Sequence, residues 1–141
     1  MNELIETLRK GNYSCVIKNG SDVRTFTRRG VADLYKLLKE DAIFLKGAVL
    51  VDKVIGKAAA ALAVLGGVEV LYAEVISLSA LVLLRDAGVD TDFQIVVPFI
   101  RNHNGDDWCP LETVCYKEKN ARDILPIIER FLADVSGKRT V

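Results

Sequence analysis

The sequence predicts an α/β domain, a three-layer α/β/α sandwich with a mixed central sheet. From residue 48 onward, apolar runs alternate with segments of helical spacing, the pattern of a mostly parallel sheet with right-handed crossovers. Ahead of them, two β-rich runs flank Asn19-Gly20 and add an antiparallel hairpin, which makes the sheet mixed. Half of the 141 residues are hydrophobic, enough to bury one core and too many for a disordered chain. No repeat or low-complexity linker divides residues 1–141, so one domain is expected.

The elements follow in order. Leu4, Ile5 and Leu8 share one helical face, so residues 1–10 form a short docking helix. Tyr13 to Lys18 and Val23 to Thr27 are the hairpin strands, with Asn19 and Gly20, both tolerant of positive φ, at the turn. Val31, Leu34, Leu37 and Leu38 recur at helical spacing. Ala48 to Val51 is a buried strand, followed by a glycine turn bearing Asp52 and Lys57. The alanine-rich helix from Lys57 to Leu65 packs close to the sheet and stops at Gly66-Gly67.

Val68 to Ile76 is the next strand, and Ser77 can cap a helix from Leu78 to Ala87 that Gly88 terminates. Asp92 to Phe99 reads as a strand ended by Pro98, and Asn102 to Glu112 as a loop. Thr113 to Tyr116 is expected to add a short strand. Ala121 to Ala133 is a final amphipathic helix that Asn120 can cap, and residues 137–141 are a loose tail.

Composition narrows the function classes. Nineteen basic residues balance nineteen acidic ones, so no net field steers the chain towards a phosphate backbone, and nucleic acid is not an expected partner. The longest low-charge stretch, Ala58 to Val68, is too short to span a bilayer, and the charged start is unlike a signal peptide, so no membrane partner is expected. Cys15, Cys109 and Cys115 form no CxxC pair; an odd, sparse set of thiols fits a reducing, cytoplasmic setting.

Three segments can carry chemistry. Asp52-Lys53-Val54-Ile55-Gly56-Lys57 puts a lysine at a helix start, where the dipole prefers anions; an anionic ligand or Asp52 would explain it, and a solvated lysine is the plainer alternative. It is not a phosphate-binding P-loop, because Ala58 follows Lys57 and the second glycine is missing. Glu74-Val75-Ile76-Ser77 ends the neighbouring strand, so Glu74 and Ser77 can face Lys57 across a shared crevice, or Ser77 can simply cap its helix. The third segment holds His103, the only histidine, and Trp108, then Cys109-Pro110-Leu111-Glu112, where proline fixes the chain between a thiol and a carboxylate. With one histidine and no paired cysteine, a zinc site would lack ligands, and His103 reads as an exposed loop residue.

Asp52 to Ala60 together with Cys109-Pro110-Leu111-Glu112 resembles the domain-of-unknown-function family 1893, across nearly the whole chain. That resemblance implies a cytidine deaminase-like fold. It also exposes a departure from zinc deaminases, which start these two helices with a His- or Cys-x-Glu pair and with Pro-Cys-x-x-Cys. Gly56-Lys57-Ala58-Ala59 and Glu74-Val75-Ile76-Ser77-Leu78 stand in those places, so no metal, no cofactor and no zinc-dependent deamination is expected.

Two functions remain. The first is a binding or regulatory module for an anionic or nucleotide-derived small molecule, held by Asp52, Gly56, Lys57, Glu74 and Ser77. The second is a metal-independent enzyme with Cys109 as nucleophile, Lys57 as electrostatic partner and Glu112 as acid or base. A homodimer is expected in either case.

Overall fold

The computed structural model describes residues 2–28, 31–101 and 109–139, with side chains of the last helix as far as residue 134. His103 and Trp108 lie outside the described residues. Strands β1 (Cys15–Asn19), β2 (Asp22–Phe26), β3 (Val49–Ile55), β4 (Val70–Ser77) and β5 (Asp90–Val97) form one sheet in the order β2-β1-β3-β4-β5. β1 runs antiparallel to β2 and β3, whereas β3, β4 and β5 are parallel, giving the mixed sheet the sequence implies.

The hairpin turn sits one residue later than expected. Asn19 pairs with Asp22, so Gly20 and Ser21 are the two turn residues, and Gly20 takes the positive φ of 60° that a tight turn demands. Asn19 stays in the strand, and its side-chain amide donates to the carbonyls of Phe44 (2.8 Å) and Lys46 (2.9 Å). Those two bonds tie the end of the hairpin strand to the segment that leads into β3.

Side-chain alternation sorts the sheet into two faces. Val16 and Val51 point to one, where Leu4 and Leu8 of helix α1 (Asn2–Lys10) cover them with Tyr72. Ile17, Leu50, Leu71 and Ala73 point to the other, into the main core. That core also takes in α2 (Ala32–Glu40), α3 (Ala42–Leu45), α4 (Lys57–Gly66), α5 (Leu78–Asp86), α6 (Pro110–Cys115) and α7 (Ala121–Arg139). Helices thus flank both faces, one on the first and most of the core-building set on the second.

Helix α4 is the centre of that layer. Ala58 to Ala63 are all buried, so this helix has no solvent face, and only small side chains let α2, α5, α6 and α7 approach it together. Ser77 caps α5, accepting from the Ala80 amide at 3.3 Å, and Asn120 caps α7, accepting from the Asp123 amide at 3.0 Å, both as expected.

Further expectations are corrected, among them the loop Asn102 to Glu112, whose residues 110–112 are helical. β3 continues to Ile55, so Asp52 lies inside the sheet opposite Ala73 and Cys15 instead of in a turn. Thr113 to Tyr116 belong not to a strand but largely to α6, where Pro110 occupies the first turn and Leu111 and Cys115, four apart, share the buried side. α7 runs to Arg139, so residues 137–139 of the expected tail are helical. The four-residue α3, which has no counterpart among the expected elements, packs Phe44 and Leu45 into the core. Among the described residues, no helix is long and apolar enough to cross a membrane.

The crowding of α4 has a measurable consequence. Ala61→Leu inserts three carbon atoms at a fully buried contact and is expected to cost about 3 kcal/mol, read from the urea unfolding midpoint; an unchanged midpoint would show slack around α4.

Candidate functional site

The site grows from two strands that end together. Ile55 of β3 and Ile76 of β4 are register partners, so α4 and α5 start side by side at the carboxyl end of the sheet. Each helix start presents amide N–H groups that its own backbone cannot satisfy. In an open α/β sheet, such a crevice between strand ends is the usual place for a ligand.

Here a side chain of the protein itself enters the crevice. Glu112, in the first turn of α6, is 3% exposed, and its Oε1 accepts from the Lys57 amide (3.2 Å), the Ser77 hydroxyl (3.0 Å) and the Ser79 hydroxyl (3.3 Å). The carboxyl group therefore meets the positive ends of two helices at once. Glu112 Oε2 is buried and has no hydrogen-bond partner among the described residues.

Gly56 explains how the carboxyl fits. Its φ of −97° and ψ of −179° are open to any residue, so backbone conformation does not require glycine. Space does: a Cβ at position 56 would lie 2.6 Å from Glu112 Oε2 and 3.3 Å from Ile100 Cγ1.

Lys57 returns the contact to α6. Its residue is 6% exposed, and Nζ donates to the Tyr116 carbonyl at 2.8 Å, at the negative end of the helix that carries Glu112. Burial lowers the pKa of the ammonium, while nearby Cys115, Glu112 and Glu118 pull it upward. One residue thus binds α6 twice, by its amide at the first turn and by its amine at the last.

The structure brings Gly56, Lys57, Ser77 and Glu112 together, as the sequence leads one to expect, and adds Ser79. The serine two places after a cap is the only trace of that addition in the sequence. Cys109 is the N-cap residue of α6, three positions before Glu112; it is half-buried, and its amide donates to the Ile100 carbonyl at 2.8 Å. Cys115 is buried, with its thiol pushed up to about 11 by that burial.

Asp52 and Glu74 do not join the cluster. Asp52, in mid-strand, accepts from the Cys15 thiol and from the Val54 amide (3.1 Å), and burial pushes its carboxyl up to about 7. Glu74 follows core-facing Ala73, so alternation turns it to the α1 side, where it accepts from Arg9 Nε at 3.2 Å. Gly56, Lys57, Ser77, Ser79 and Glu112 supply one carboxyl group and neither imidazole nor thiolate, a donor set that does not fit zinc.

The Asp52 environment sets a pH dependence. Its folded pKa exceeds the unfolded carboxylate value, so its stabilising contribution is full below about pH 4 and is lost as pH rises towards 7. Asp52→Asn removes that loss. The melting temperature of the variant relative to the native chain should climb between pH 4 and 7 and then level off; a constant difference would show an ordinary carboxylate.

The same architecture occurs in a solved relative. The crystal structure of a DUF1893 family protein (TM1506) from Thermotoga maritima, at 2.70 Å resolution, superposes with a TM-score of 0.84 over 92% of this chain and 87% of that one. Sequence identity is 24%, so the match shows a shared fold. Comparison with functionally curated proteins gives no match. The model of the TM1506 family, a domain of unknown function (DUF1893), matches residues 3–132. The chain belongs to that family.

Proposed function

We propose that the chain is a small-molecule binding or regulatory module whose ligand donates an N–H or O–H hydrogen bond to Glu112 Oε2. One observation carries this reading: a buried carboxyl oxygen without a partner among the described residues, between two helix starts. Buried polar atoms are normally satisfied, because an unpaired one costs about 1–3 kcal/mol. The helix-start donors already serve Oε1, so the remaining valence takes a donor in place of an anion. Amino- or amide-bearing molecules of the nucleotide-derived class supply such a group. The paired helix starts beside the sheet also suit the deaminase-like reading of the fold, with hydrogen bonding in place of metal chemistry.

Glu112→Gln tests this with little structural cost. Its amide oxygen can keep the three inner hydrogen bonds, while its NH2 turns the open acceptor into a donor. Native mass spectrometry of freshly purified protein should show a small molecule on the native chain and none on a Glu112→Gln variant of similar melting temperature. The same adduct on both proteins, or none on the native chain, would contradict the reading.

One observation favours catalysis as the second reading: Cys109 is the only one of the three cysteines that is not buried. A nucleophilic Cys109, with Lys57 and Glu112 behind it, would form a covalent adduct with an electrophilic substrate. Under native conditions near neutral pH, iodoacetamide should alkylate Cys109 well before Cys15 and Cys115, whose thiols burial holds in the protonated form. Equal, slow labelling of all three would exclude Cys109 as nucleophile.

A further inference from the structure

The start of α4 leaves more than the Glu112 oxygen unpaired. Gly56, its N-cap residue, offers no side chain; the Lys57 amide serves Glu112 Oε1, and the Ala60 amide donates to the Gly56 carbonyl at 3.0 Å. Between them, the amides of Ala58 and Ala59 have no acceptor among the described residues. The carbonyls four residues back belong to Val54 and Ile55 of β3, outside the helix. Ala58 is 4% exposed and Ala59 7%, so bulk water does not take the acceptor's place. α5 differs: Ser77 caps it, and Leu78, its first residue, is 54% exposed. First-turn amides point back out of a helix, here towards the strand end where Glu112 Oε2 lies beside Gly56. Two donors and one acceptor, each buried and unpaired, meet at one helix start.

We propose that the group bound here is a neutral carboxamide or lactam, with its N–H on Glu112 Oε2 and its carbonyl oxygen on the Ala58 and Ala59 amides. This pairing rests on the binding function proposed for Glu112 and adds an acceptor to the donor. An ammonium group has donors only and would leave the two amides unpaired. A carboxylate would serve the amides but set its lone pairs against Oε2, with no proton between them. A carboxamide carries both kinds of atom side by side, and its oxygen has two lone pairs for two amides. Charge selects the same class. Lys57 already supplies a buried cation to the one carboxyl group, with its amine held on the Tyr116 carbonyl.

Amide resonances of the isotope-labelled native chain, titrated separately with acetamide, acetate and methylammonium, test it. Acetamide should shift the Ala58 and Ala59 amides at concentrations where acetate, its near-isostere, and methylammonium leave them in place. Glu112→Gln should weaken acetamide binding more than about tenfold, because its NH2 meets the N–H of the probe. Methylammonium binding that depends on Glu112 and leaves the two amides unmoved would overturn the pairing yet keep the donor reading. Acetate as effective as acetamide would overturn both. Ala58 and Ala59 amides indifferent to acetamide would overturn the pairing.

Discussion

The carboxyl group of Glu112 joins three helices whose contact the sequence separates by up to 55 positions. Its Oε1 gathers the start of α4 through the Lys57 amide and the start of α5 through Ser77 and Ser79. Lys57 closes the arrangement by holding the far end of α6. α6 has six residues, too few to be helical alone, so its position depends on these bonds and on buried Leu111 and Cys115. The bonds in turn depend on the alanines of α4 and on Gly56, which leave room for another element to come so near.

The same arrangement decides what chemistry is available. A helix start plus a lysine resembles an anion site, yet here the amide already serves a carboxyl group and the amine a carbonyl. What stays unpaired on the carboxyl group among the described residues is an acceptor, the buried Oε2, beside Gly56. The proposed recognition of a donor group rests on that asymmetry: three donors on one oxygen, none among the described residues on the other. Cys109, three positions before Glu112, is half-buried and takes no part in the inner bonds.

Much of this is legible in the residues. The order of strands and helices, the caps Ser77 and Asn120, and the glycine stops follow from local chemistry, and local chemistry is what one sequence displays. Gly56, Lys57 and Ser77 are legible for the same reason, since they stand where strands give way to helices. Asp52 misleads because a charged residue before a glycine looks like a turn, whereas the β-rich Val54-Ile55 that follows keeps the chain extended. Thr113 and Val114 carry strand propensity, which the packing of Leu111 and Cys115 overrides in favour of a helix. Glu74 lies near the site along the chain, but its neighbour Ala73 fixes it on the opposite face. Glu112 Oε1 on Lys57, and Lys57 Nζ on Tyr116, are tertiary contacts with no local signal.

Glu112 and the helix starts act as one unit, and a double-mutant cycle between Glu112→Ala and Ser77→Ala, followed by urea unfolding, measures this directly. The two substitutions remove opposite ends of one buried hydrogen bond, so their effects should fall short of additivity by about 1 kcal/mol or more. Effects that add within about 0.3 kcal/mol would mean that the carboxyl group does not hold the two helices together.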